Sequence, residues 1–285
     1  MKNTVISSII AGMFCLLSMA SCSSPAQQDN DLKLSENWFI QSSAEICHDG
    51  AALSDGSVGC EGWYKASVPS TVMGVLTAEN GEYEDAFVGR NYAEIDRERF
   101  DTAWWYRTSF DVPALKEGQR AELAFDGVSY RADVWLNGVQ IASADEFYGP
   151  FRQFSFDVTD ALKESNNLAV RIHRWQKGEF NIGFVDWNPR PVDESMGIFR
   201  PVWLKYSNEV VMKNPVVRSK VDTVSFDEAW LTVEATLCNA SDRNISGKLC
   251  GKYEEGSFSY PVELAAGETK TVSLTADQIK RLHVK

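Results

Sequence analysis

Histidine is scarce: only three occur in 285 residues. His48, His173 and His283 lie far apart without ligand spacing, so the sequence predicts no histidine-based metal site. No glycine-rich loop is placed to cradle a phosphate, and no serine occupies a strand-to-helix elbow, which removes those two chemistries. No cofactor is implied. Basic clusters are missing as well. Lys+Arg total 28 against 40 Asp+Glu, a net charge of -12, so nucleic acid and anionic membrane surfaces are not expected as direct partners. Such acidity either keeps the surface soluble or attracts a cationic substrate. The apolar run Val5 to Leu17 is too short for a stable membrane span. Aromatic residues, by contrast, reach 12% with nine Trp, flat rings of the kind that serve both sandwich cores and carbohydrate sites.

Lys2 followed by that apolar run has the shape of a secretory signal. Its end, Leu17-Ser18-Met19-Ala20-Ser21-Cys22, resembles a bacterial lipoprotein cleavage box. That resemblance implies a lipoprotein signal over residues 1–22, cleaved so that Cys22 stays as the lipidated first residue of the mature protein, a polar tether over 23–33, and a protein anchored in the cell envelope, on its periplasmic side or at the surface. An ordinary cleaved signal with an incidental cysteine is the alternative. Four cysteines then remain in an oxidising compartment, allowing three connectivities. Proximity favours Cys47 with Cys60 and Cys238 with Cys250, and four free thiols are the other outcome.

Strand patterns dominate the remainder. Trp38 lies in a strand, and Thr71 to Glu79 reads as a short helix capped by Ser70 and stopped at Asn80-Gly81. From Ala103 the period is two: Ala103–Phe110, Gln119–Phe125, Arg131–Leu136, Val139–Ala142, Gln153–Asp157 and Leu168–Trp175 are strands. Asn137-Gly138 predicts a tight hairpin between the third and fourth of these. Lys213-Asn214-Pro215 reads as a linker, after which five or six further strands predict a second sandwich with no closing strand evident. The expected fold is all-β: a jelly-roll β-sandwich over 34–208, followed by an incomplete, truncated immunoglobulin-like β-sandwich over 209–285.

One stretch combines features of a site. In NIGFVDWNPRPVDESMGIFRPVWL, residues 181–204, an apolar run delivers Asp186 and Trp187 into a segment whose prolines forbid helix or central strand. The chain then re-enters a core strand, so an acidic, aromatic loop is anchored at both ends. The plainer reading makes Asp186 and Asn188 turn-formers and Trp187 a hydrophobic plug.

Several segments taken together resemble glycoside hydrolase family 2: VPSTVMGVL with YEDAFVGRN, WWYRTSF, FDGVSYRADVWLNG, FYGPFRQFSFDVTDAL with NNLAVRI, and DWNPRPVDESMGIFRPVWL. The last is most similar to the exo-β-D-glucosaminidase and β-mannosidase branches, although Asn188 stands where mannosidases often have Gly. The resemblance implies a jelly roll, an immunoglobulin-like domain and a (β/α)8 barrel bearing two catalytic glutamates, with a β-linked oligosaccharide or amino sugar as substrate. A barrel needs at least about 200 residues, which the chain does not hold after its second sandwich. A non-catalytic N-terminal portion is therefore expected, with a stand-alone lipid-anchored carbohydrate-binding protein or a structural relic as alternatives. Asp193 and Glu194 read as solvated loop carboxylates, pointing to opposite faces of an extended backbone and unable to flank one glycosidic bond. The resemblance gives Asp186 hydrogen bonds from sugar hydroxyls or an ion pair with an ammonium, and Trp187 a place beside the ring. Arg190 is a third candidate contact, or else solvated or paired with Asp193.

Overall fold

A computed structural model describes residues 31–83, 85–180, 187–253 and 256–284. The signal segment with Cys22, most of the tether, and Asp186 lie outside the described residues. The first sandwich contains β1 (Leu32–Lys33), β2 (Trp38–Ser42), β3 (Tyr64–Ala66), β4 (Ser70–Thr71), β5 (Trp104–Asp111) and β6 (Arg120–Phe125). It continues with β7 (Arg131–Leu136), β8 (Val139–Ala142), β9 (Phe154–Asp157), β10 (Ser165–His173), β11 (Gly197–Ile198) and β12 (Val202–Ser207). One sheet runs β1-β12-β6-β9 and the other β3-β2-β5-β10-β7-β8, the crossed order of a jelly roll; β11 pairs with β4 apart from them. The last two residues of the expected tether are thus a strand, Leu32 opposite Leu204.

Alternation places Leu123, Phe125, Val202 and Leu204 of one sheet against Trp38, Ile40, Tyr106, Val134, Val170 and Ile172 of the other, in a single core. β5 is buried on both faces over Trp104–Thr108, because residues 43–63 fold over the outer side of its sheet. There Leu53 packs with Trp105 and Ala169, and the Arg107 guanidinium donates to the carbonyls of Val58 and Gly59 at 2.8 and 2.9 Å. Asn137-Gly138 forms the expected hairpin with both φ positive, 53° and 88°. The helix expected over 71–79 is present but divided, α-helical over Val72–Gly74 and π-helical over Val75–Glu79. Its cap is Thr71 rather than Ser70, the Thr71 Oγ1 accepting from Gly74 N–H at 3.1 Å.

The second sandwich contains β13 (Val210–Val221), β14 (Ala229–Asn239), β15 (Ile245–Tyr253), β16 (Gly256–Leu264), β17 (Thr269–Leu274) and β18 (His283–Val284). The sheet β13-β14-β17, with β18 also on β14, faces the β15–β16 pair across Leu237, Leu274, Leu249, Phe258 and Leu264. The expected linker at 213–215 is corrected here: the strand runs through it with a register shift between Lys213 and Val216 and Asn214 at φ 50°. Pro215 has no N–H to give a ladder, and a bulge removes that demand.

The expected disulfides are also corrected, since all four described cysteines are free. Leu237 and Leu249 point into the second core from its two sheets, so their neighbours Cys238 and Cys250 project from opposite outer faces. Cys47 stays exposed, and packing of Leu53, Val58 and Trp63 secures the loop that Cys47 and Cys60 were expected to staple.

Trp104, at the start of β5, is paired with Ile172 near the end of β10. The excursion that precedes β5 and the segment that follows β10 therefore emerge side by side. That adjacency positions the candidate site.

Candidate functional site

Trp187 stands clear of any core, 82% exposed, which removes the reading of it as a plug. The loop behind it is fixed at several points. Pro189 and Pro191 offer no N–H, and the carbonyls around them need donors from elsewhere. Arg97 supplies these, with Nη2 3.0 Å from the Arg190 carbonyl and Nη1 3.5 Å from that of Pro191. The next free N–H, that of Val192, donates to the Tyr92 hydroxyl at 2.9 Å. Both partners come from the excursion before β5.

Asp193 is the deepest anchor. It is 2% exposed, and its two carboxylate oxygens accept from Met73 N–H and Ser195 N–H, each at 2.9 Å. The Met73 contact sits in the first turn of the divided helix, where a negative charge suits the unpaired N–H groups. Burial pushes the Asp193 carboxyl above its ordinary value of 3.8, against the downward pull of the Met73, Ser195 and Thr71 donors. Glu194 is also buried, at 6% exposure, and its Oε1 accepts from Arg190 Nε at 2.8 Å. The expectation of solvated carboxylates is therefore corrected. So is its geometric premise: Glu194 and Ser195 are left-handed at φ 52° and 56°, not extended. The two carboxylates still diverge, one to the helix and one to Arg190, and each is engaged by its own donors.

Arg190 pairs with Glu194 rather than Asp193, and its guanidinium lies 5.6 Å from the Trp175 ring centroid. Trp175 Nε1 donates to the Glu179 carbonyl at 2.7 Å, and the Glu179 carboxylate is held by Arg131 on β7. Both flanks of the segment are therefore braced to the jelly roll. Beyond Gly197 the chain locks into β4 through Thr71 and exchanges two backbone hydrogen bonds with Ser129, at 2.8 and 2.9 Å. Of the three residues expected to contact a ligand, the structure places Trp187 and Arg190 on one braced loop, and Asp186 lies outside the described residues. Tyr92, Arg97, Trp175 and Glu179 carried no motif that marked them in the sequence.

Among the described residues no group of three or more His, Cys, Asp or Glu side chains converges to hold a metal. His173 meets Asp133 at 2.8 Å, a carboxylate that also accepts from Arg171, and His283 meets Glu228 at 2.9 Å. The Asp133 carboxyl illustrates the opposite balance to Asp193: burial raises it, but donors from His173, Ala144 and Arg171 prevail and hold it at about 2.

Comparison with known proteins matches residues 38–179 to the glycosyl hydrolase 2 galactose-binding domain-like family. The chain is 36% identical over 249 residues to an exo-β-D-glucosaminidase of Streptomyces avermitilis, a match covering 87% of this chain and 27% of that protein. It is 32% identical over 249 residues to the exo-β-D-glucosaminidase of Amycolatopsis orientalis, covering 87% of this chain and 24% of that one. The crystal structure of the Amycolatopsis orientalis exo-chitosanase superposes with a TM-score of 0.79 at 32% identity, over 86% of this chain and 28% of that chain. The chain thus spans about a quarter of the length of the curated relatives it matches. With its jelly roll, second sandwich and matched segments in this order, the chain belongs to glycoside hydrolase family 2, as an N-terminal region like that of the exo-β-D-glucosaminidases.

Proposed function

We propose that this chain supplies the non-catalytic, sugar-contacting rim of an exo-acting family 2 glycosidase that releases amino sugars from a β-linked oligosaccharide. The observation that carries the reading is Trp187, a large apolar ring held in water on a loop whose flanks are braced to the sandwich. Braced loops keep a contact surface in its binding shape, so little ordering opposes ligand contact. The exo-β-D-glucosaminidase relatives support an amino sugar as the ligand. Trp187 packs beside the sugar ring. Asp186, its neighbour in sequence, accepts from hydroxyls or pairs with the ammonium. Arg190 uses Nε on Glu194 and presents its remaining donors to sugar oxygens. Hydrolysis with retention requires two carboxyl groups about 5 to 5.5 Å apart. Asp193 and Glu194 are committed to other donors, and in this reading the pair belongs to a barrel that completes the site.

Titration of the purified chain with glucosamine, followed by tryptophan fluorescence, should show millimolar binding. Trp187→Ala is expected to weaken it by at least about tenfold with an unchanged melting temperature, because this side chain supports no core. Equal affinity in the variant would refute the rim.

We also propose that Cys22 is lipidated and holds the protein at the cell envelope. Wild type expressed in a bacterial host should fractionate with membranes and Cys22→Ser with soluble protein. Membrane recovery of both would reject the anchor.

A further inference from the structure

Residues 79–101 leave the jelly roll after the divided helix and return to β5 alongside the Trp187 loop. Their apolar side chains fall into two groups. Ala86, Ile95 and Phe100 are buried and fasten the excursion to the core. Phe87 and Val88 are not, and Phe87 is 79% exposed. Its ring stacks on Tyr92, with centroids 5.6 Å apart and planes 21° from parallel. Tyr92 in turn holds the Val192 N–H at 2.9 Å, so this exposed ring is fixed to the loop that bears Trp187. A phenyl ring that stays in water while backed by a second ring is preformed for contact with another flat apolar face, and little freedom is lost when it is covered.

The charge around this platform has one predominant sign. Residues 79–101 carry eight Asp and Glu and three Arg. Two of those arginines are already occupied, Arg99 on Glu82 and Arg97 on the carbonyls of the Trp187 loop. Asp85 and Glu94 are exposed and, among the described residues, their carboxylates form no ion pair. A neutral sugar gains nothing from that excess, whereas an ammonium-bearing one does.

We propose that the Phe87–Tyr92 stack is a second sugar platform, which takes the neighbouring residue of a β-linked amino-sugar oligosaccharide while Trp187 takes the terminal one. Asp85 and Glu94 pair with its ammonium. This rests on the reading of the Trp187 loop given above, extending it from one sugar to two.

The test compares glucosamine, a β-1,4-linked glucosamine disaccharide and cellobiose on the full chain. The glucosamine disaccharide should bind about tenfold tighter than the monosaccharide, and cellobiose should not show that gain. Phe87→Ala should erase the advantage while leaving glucosamine affinity and melting temperature unchanged; Phe87→Tyr should retain it. Asp85→Asn with Glu94→Gln should erase the difference between glucosamine disaccharide and cellobiose. An advantage that survives Phe87→Ala overturns the platform while leaving Trp187 in place. Absence of any glucosamine binding overturns the Trp187 reading and the platform with it. Sedimentation of the same proteins adds one more outcome: a dimer abolished by Phe87→Ala, with binding unaltered, would assign the patch to contact between copies instead.

Discussion

Gly197→Ala is expected to lower the stability of the jelly roll by about 4 kcal/mol, in the tail reached by few single substitutions, and its melting temperature by on the order of 10 °C. A methyl at this position would lie 2.6 Å from Thr71 Cα, 2.7 Å from the Ser70 carbonyl oxygen and 2.7 Å from the Tyr106 hydroxyl. Two of these three are backbone atoms, so no rotamer change relieves the overlap. The β4–β11 pair would have to separate, with loss of the Gly197 bonds to Ser129 and the Val72 N–H bond to Met196. Each buried donor left unpaired adds about 1–3 kcal/mol. The backbone itself, at φ 150°, is one that L residues rarely adopt. Gly62→Ala is the control. Gly62 also has positive φ, 77°, but a methyl there meets nothing within 4 Å, so only the conformational cost of about 1 kcal/mol applies. Thermal unfolding of the two variants separates the contributions; equal melting temperatures would show that the close approach at Gly197 is not what joins the loop to β4. Because Gly197 is the hinge through which the Trp187 loop enters the sandwich, glucosamine affinity should fall with stability in Gly197→Ala and hold in Gly62→Ala.

What the sequence revealed and what it hid divide along one line, the range of the interaction. Trp104–Asp111, Arg131–Leu136 and Val139–Ala142 were legible because alternation and the Asn137-Gly138 turn are properties of neighbouring residues. Trp187 was legible as a loop residue because Pro189 and Pro191 exclude regular structure locally. The fate of Asp193 was not, since its donor at Met73 is 120 residues away and a carboxylate beside prolines looks solvated until that donor is known. Tyr92 and Arg97 were hidden for the same reason: their partners are main-chain groups of a distant loop, which carry no side-chain identity. Pro215 misled in the other direction. A proline marks a break in a ladder, and a strand that bulges satisfies that mark without ending. The spacing of Cys238 and Cys250 misled because proximity along the chain takes no account of which sheet face each thiol occupies.

Asp193→Ala is expected to cost about 3 kcal/mol, from the buried Met73 N–H and the half-buried Ser195 N–H left without acceptors, at about 1–3 kcal/mol for a buried donor and less for the other, and Asp193→Asn rather less. Asparagine keeps one acceptor oxygen for Met73 or Ser195 and turns an amide toward the other. The two variants also separate the hydrogen bonds from the charge. Burial raises the Asp193 pKa above 3.8, so the folded protein holds this proton more tightly than the unfolded chain does. The contribution that follows has a definite sign: it is fully present below pH 3.8 and is lost as pH rises through the higher folded value. At neutral pH the ionised carboxylate works against the fold while its hydrogen bonds work for it. Neither variant has this titration, so the stability that wild type holds over Asp193→Asn should grow as pH is lowered from 7 toward 4. Denaturant midpoints measured across that range decide the matter: a gap that narrows toward acid would mean that Asp193 is held as a carboxylate by its donors more strongly than burial opposes it. Chemistry at the rim should follow the same anchor. Asp193 joins the loop to the helix at Val72–Gly74, and with it removed Tyr92 and Arg97 remain as the clamps from the excursion before β5. Glucosamine binding by Asp193→Ala should therefore weaken even at temperatures where the fold is intact, with Trp187 itself unaltered.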